Sequence, residues 1–157
     1  MPFDSGASID RFSGFIVSSD PRGDQEFPPR GPIEHEQIRP AFKEPRIHFA
    51  LVCASVGCPP LRREAYSADR IEEQLEAQAR YVHTHGRWFH LDPGGKVLRL
   101  TRLYDWYGSD FEQVSGSVLR FAARYSPALQ AELEAGREPR IEFLDYDWSL
   151  NSRENAR

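Results

Sequence analysis

A chain of 157 residues, 39% apolar and 28% charged, has the size and composition of one globular domain that can bury its own core. A formal net charge of −4, with basic residues scattered among acids, gives no footing for nucleic acid, and no apolar run approaches the ~20 residues that span a bilayer. Met1 to Phe12 carries Asp4 and Asp10 and lacks the basic and apolar regions of a signal peptide, so a cytoplasmic location is the default expectation.

Residues 1–32 are dense in Gly, Pro, Ser and Asp and read as an irregular arm, with Phe12 to Val17 as its one short strand candidate. Residues 33–151 read as the domain proper and residues 152–157 as a polar tail. Ile33 to Phe42 suits two helical turns, ended near Arg39 by Pro40. The near-continuous apolar run of residues 46–53 predicts a buried central strand. Ala54 to Pro60 predicts a loop, and Ser67 an N-cap for a helix from Ala68 to His83 with Ile71, Leu75, Ala79 and Val82 inward. Residues 88–100 predict a hairpin around Asp92-Pro93-Gly94-Gly95. Helices are expected at Arg102–Phe111, Ser115–Tyr125 and Pro127–Ala135, the last closed by Gly136, and a final strand at Arg140–Leu144. The expected fold is α/β or α+β, a small central sheet packed by four or five helices.

Several stretches fall into one order: Ile33-Glu34-His35, then Pro45-Arg46-Ile47-His48-Phe49-Ala50-Leu51, then Cys53 through Cys58-Pro59-Pro60. Asp105-Trp106-Tyr107 with Asp110-Phe111 follows, and Asp145-Tyr146-Asp147-Trp148-Ser149-Leu150-Asn151 closes the series. In this order and spacing the chain resembles the family known as domain of unknown function 547. The resemblance implies a shared fold and no particular reaction. It also implies a preceding helical segment with a Trp and two Asn; residues 1–32 contain neither residue type, so the chain reads as a truncated form or one whose start lies upstream. A missing N-terminal segment, or a protein partner in its place, is then the expected neighbour.

Candidate chemistry centres on Cys53, Cys58 and His48, with His35 and Glu34 as contributors from elsewhere. A nucleophilic cysteine acts as its thiolate and needs a neighbour that lowers its pKa. One reading is a cysteine-dependent hydrolase or acyl transferase, by analogy of residue types with papain and transglutaminase. Cys58 or Cys53 would be nucleophile, His48 or His35 base and Glu34 the orienting acid. In a strand, the five-residue separation of His48 and Cys53 would put them on opposite faces, so that reading needs a bend between them. A second reading pairs Cys53 with Cys58 across a short flexible loop as a thiol redox site. A third is a non-catalytic interaction module with both cysteines inert in packing. A zinc set drawn from His35, His48, Cys53 and Cys58 matches no standard spacing, so no metal or other cofactor is expected. The Trp106-Tyr107 and Tyr146–Trp148 aromatics read as core anchors sooner than a ligand cradle, Asp147 equally as the cap of a turn around Ser149 or as a substrate contact, and His83 and His85 as cations favoured at a helix C-terminus.

Overall fold

The computed structural model describes residues 43–152. The expected arm, the Phe12–Val17 strand, the Ile33–Phe42 helix and all of the tail but Ser152 lie outside the described residues. Within them the chain forms α1 (Ile47–Ala50), α2 (Ile71–Thr84), β1 (Phe89–Leu91), β2 (Val97–Leu100), α3 (Leu103–Trp106), α4 (Gly108–Ser115), α5 (Val118–Ala123), α6 (Pro127–Glu134) and β3 (Arg140–Phe143). The strands form one mixed sheet in the order β1-β2-β3, with β1 antiparallel and β3 parallel to β2. The α/β class and the hairpin are therefore as the sequence implied. The helices number six among the described residues, not four or five.

The buried strand expected over residues 46–53 is instead the single helical turn α1. Ile47, His48 and Phe49 are all buried, so the turn is enclosed on every side, and a short run of that kind does not distinguish a strand from a buried helical turn. Its surroundings decide the matter. The Glu44 carboxylate accepts from the Arg46 N–H (3.0 Å) and Arg46 Nε (2.8 Å), while the Ile47 and His48 amides donate to the carbonyls of Glu44 and Pro45. Pro45 brings a helix-compatible φ to the turn. Arg46 then reaches Glu72 and Glu76 of α2, fastening the turn to that helix.

Helix α2 begins at Ile71, three residues after the expected start, without a side-chain cap. The Gln74 side chain reaches back over the intervening turn, accepting from the Ser67 N–H and donating to the Ala65 carbonyl, each at 2.9 Å. The expected Arg102–Phe111 helix is broken at Tyr107 into α3 and α4, and the next break falls at Gly116, with Ser117 capping α5 through the Arg120 N–H. Helix α6 is capped by Ser126 and followed, as expected, by Gly136 at φ +72°. The core lies between the sheet and these helices, with Phe49, Val82, Leu98, Leu100, Tyr104, Phe111, Phe121 and Leu129 sealed from solvent.

His83 corrects the expectation of a cation at the end of α2, because it is buried. Its Nδ1 lies 2.6 Å from the Ala79 carbonyl, which can only accept, so Nδ1 carries the proton. Nε2 is then the acceptor for the hydroxyl of the fully buried Tyr104, and the ring stacks on Tyr125. Burial pulls the imidazole down to about 4, against an ordinary value of 6.5. A histidine held below its unfolded pKa stabilises the fold above 6.5, and that contribution is lost as pH falls from 6.5 through 4. Denaturant titrations at pH 7 and pH 4.5 should show His83→Gln less stable than the parent at pH 7. The gap should shrink by about 2 kcal/mol, on the order of one to two pKa units of linkage, at the lower pH. A gap that is independent of pH would show that His83 does not titrate across this window.

Candidate functional site

Leu51 leaves the helical turn with extended backbone, and residues 51–53 run outward to a tight loop. Ala54 sits at φ 59°, a left-handed conformation unusual for a residue with a Cβ, and reverses the chain. The Cys58 amide closes the loop on the Ser55 carbonyl at 3.2 Å. The C-terminal segment then crosses this loop. The Val56 and Gly57 amides donate to the Ser149 and Asp147 carbonyls (2.9 and 2.8 Å), and the Asn151 amide to the Ala54 carbonyl (2.8 Å). Gly57 makes the approach possible, since a Cβ there would lie 3.0 Å from both the Asp147 nitrogen and the Tyr146 ring.

The loop is also held from behind. Gln78 of α2, itself buried, donates through Nε2 to the carbonyls of Phe49 (3.1 Å) and Pro60 (3.0 Å), one on each flank of the cysteine loop. Trp88 Nε1 donates to the Gly57 carbonyl at 3.0 Å.

This frame brings the two free thiols together, Cys53 exposed and Cys58 buried, with their sulfurs 3.0 Å apart. A disulfide would draw them to about 2.0 Å. The Cys53 amide donates to Cys58 Sγ (3.2 Å), the Ser55 hydroxyl lies 3.2 Å from Cys53 Sγ, and the Tyr146 hydroxyl lies 3.0 Å from Cys58 Sγ and 3.5 Å from Cys53 Sγ. Tyr146 and Ser55 are themselves 2.8 Å apart. Burial opposes ionisation of Cys53, but hydrogen bonds from Cys58, Ser55 and Tyr146 outweigh it and bring the thiol down to about 6, from 9.0. Burial and the adjacent sulfurs push the Tyr146 phenol far above its ordinary range, so it stays protonated as a donor.

The remaining candidates fall elsewhere. His48 is buried, its ring stacked on Tyr107 at 3.9 Å, and its Nε2 lies 2.9 Å from the Asp110 carboxylate. Among the described residues neither sulfur has an imidazole within hydrogen-bond reach. His35 and Glu34 lie outside the described residues. No group of three or more metal-ligating side chains occurs among the described residues. Asp147 takes the first of its two expected roles and caps the turn at Ser149, accepting from its amide at 2.9 Å and from its hydroxyl. Trp106, Tyr146 and Trp148 pack on one another, but Trp106 is 41% and Trp148 68% exposed, so this cluster is not the core anchor expected for it.

The sequence assigns no site role to Ser55 or Gln78, and Asp110 stands out there only as part of the Asp110-Phe111 motif. Gln78 alone left a signal there: it falls on the apolar face of α2 beside Leu75, Ala79 and Val82, where a polar residue needs a partner.

The loop, both thiols and His48 all fall within one matched stretch. Residues 12–81 match the family described as "Protein of unknown function, DUF547". The matched stretch contains the cysteine loop and most of its supporting helix. The match extends into residues 12–32, set apart above as an arm, and ends before the Trp106, Asp110 and Tyr146 blocks. No curated protein and no solved structure matches the chain. No helix among the described residues is long and apolar enough to cross a membrane.

Gly57→Ala tests the frame. The added methyl must push the C-terminal segment off the loop, which should destabilise the domain by about 1–3 kcal/mol. It should also raise the alkylation midpoint of Cys53 from about 6 toward 9 as Tyr146 is displaced. A variant with the parent's midpoint and stability would show that the close crossing does not position Tyr146.

Proposed function

We propose that this domain carries out thiol–disulfide exchange, with Cys53 as the attacking thiol and Cys58 as the resolving one. The observation that carries the reading is the pair of free sulfurs 3.0 Å apart, one exposed and one buried. With its thiol at about 6, Cys53 is roughly nine-tenths thiolate at pH 7. In the proposed reaction the Cys53 thiolate attacks one sulfur of a substrate disulfide. A Cys53–substrate bond forms, the substrate S–S bond breaks, and the first half leaves as a thiolate. Cys58 loses its proton to solvent and attacks Cys53 Sγ. The Cys53–Cys58 bond forms and the second half leaves, so the protein is oxidised by two electrons and the substrate reduced by two.

The hydrolase or acyl-transferase reading keeps one observation in its favour. His48 and Asp110 form the base-and-carboxylate half of a triad. That reading requires His48, or His35 with Glu34, to reach the nucleophile, Cys53 or Cys58, and supply a proton to the leaving group. The interaction-module reading draws on the exposed Trp106, Trp148 and Leu150. Exchange chemistry needs only what surrounds the sulfurs.

Treated with excess bis(hydroxyethyl) disulfide, the protein should lose two thiols and two hydrogen masses. Cys58→Ser should stop at the mixed disulfide on Cys53, and Cys53→Ser should react slowly. Iodoacetamide should label Cys53 with a midpoint near 6, against the ordinary 9.0. Equal, slow labelling of both cysteines with a midpoint near 9 would remove the exchange reading and favour the interaction module. Fast labelling of Cys53 without any intramolecular bond would favour the hydrolase.

A further inference from the structure

A small cleft opens beside the paired thiols, lined by Gly57, Arg87, Thr101, Arg102, Asp145 and Tyr146 among others. It holds about 50 Å³, room for about four waters where each takes ~10–15 Å³. Gly57 and Tyr146 line the cleft and also belong to the thiol site, where the Tyr146 hydroxyl lies on the sulfurs. The cleft and the thiol site therefore share Tyr146 and Gly57 as common wall residues.

The charges of the cleft are four, and two are committed. Arg102 donates through Nη1 to Asp105 at 2.8 Å, and Asp147 accepts from Ser149. Arg87 and Asp145 are the others. Both are exposed, and neither has an ion-pair partner among the described residues, nor do they pair with each other. Arg87 is steadied by its guanidinium lying 5.6 Å from the Trp88 ring centre. One free cation and one free carboxylate on the lining of a cavity of this size are complementary to a group that carries a carboxylate and an ammonium a few bonds apart.

Resting on the exchange reading above, we infer that this cleft binds the α-amino-carboxylate end of a small disulfide of the cystine type. Its carboxylate meets Arg87 and its ammonium meets Asp145, and its sulfurs lie beyond Tyr146 at Cys53. The guanidinium suits a carboxylate because its N–H groups match the two oxygens in one plane. The substrate class is zwitterionic and low in molecular weight. A protein disulfide, whose flanking groups are neutral amides, leaves both charges unanswered.

The test compares four disulfides as oxidants of the protein: cystine, cystamine (ammonium only), dithiodipropionate (carboxylate only) and bis(hydroxyethyl) disulfide (neither). Each rate is divided by the rate of the same compound with a small free thiol, which removes intrinsic reactivity. Cystine should lead the neutral compound by about tenfold, with the two singly charged compounds between them. Arg87→Gln should collapse the advantage of cystine over cystamine, and Asp145→Asn its advantage over dithiodipropionate. Four equal normalised rates, with the Cys53–Cys58 bond still formed, would overturn the headgroup site and leave the exchange reading standing. Failure of all four to close that bond would overturn both.

Discussion

Where the C-terminal segment crosses the cysteine loop, backbone amides of Val56, Gly57 and Asn151 bond across the two strands of chain, and a hydrogen atom stands where any other residue would put a Cβ. That contact joins residues almost a hundred positions apart. Tyr146 reaches the sulfurs only because its neighbour Asp147 is pinned to Gly57, and Ser55 faces Tyr146 only because the loop is turned by Ala54. The thiols by themselves are two cysteines on a loop. Cys58 and Ser55 lower the Cys53 thiol from within the loop, and the crossing adds Tyr146 as a third hydrogen-bond partner.

The loop keeps its shape because α2 supplies polar groups to the interior in fixed places. Gln74 satisfies the chain that enters the helix, Gln78 holds both flanks of the cysteine loop, and His83 ties the helix end to Tyr104. Each of these buried groups has its partners, which is the condition for a polar side chain to stabilise a core. They also act over distance, since backbone carbonyls on both sides of the thiols answer to one side chain. A helix read only by its apolar stripe would be credited with packing and not with placing the site.

How far the sequence reveals this structure depends on the range of the forces involved. The hairpin, β3 and the end of α6 were legible because turn residues and alternation act within a few positions, as at Asp92–Gly95 and Gly136. The turn α1 was not, because Ile47, His48 and Phe49 are buried on all sides and periodicity vanishes when every face is apolar. That misassignment spread to the site. Reading residues 46–53 as a strand set His48 and Cys53 on opposite faces of one sheet. In the structure the helical turn places the imidazole against Tyr107 and Asp110, while the chain beyond Leu51 carries Cys53 to the loop. The nearness of Cys53 and Cys58 was foreseeable from their short spacing. The contribution of Tyr146 was not, because nothing local in Asp145-Tyr146-Asp147 says that it meets residue 53.

The means by which the Cys53 thiolate is stabilised bears on which chemistry suits it. An imidazolium partner would hold the thiolate by charge and would also be an acid for a departing amine or alkoxide. Here the neighbours are a hydroxyl, a phenol and a second thiol. The phenol is held far above its ordinary range, so it lends a hydrogen bond and keeps its proton. Such a set makes a good nucleophile and a poor proton donor. Acyl transfer from an amide requires the leaving nitrogen to be protonated, whereas the leaving group in disulfide exchange departs as a thiolate and needs no proton. The second thiol, at non-bonded contact already, supplies the one further thing that exchange requires, a nucleophile to release the first adduct.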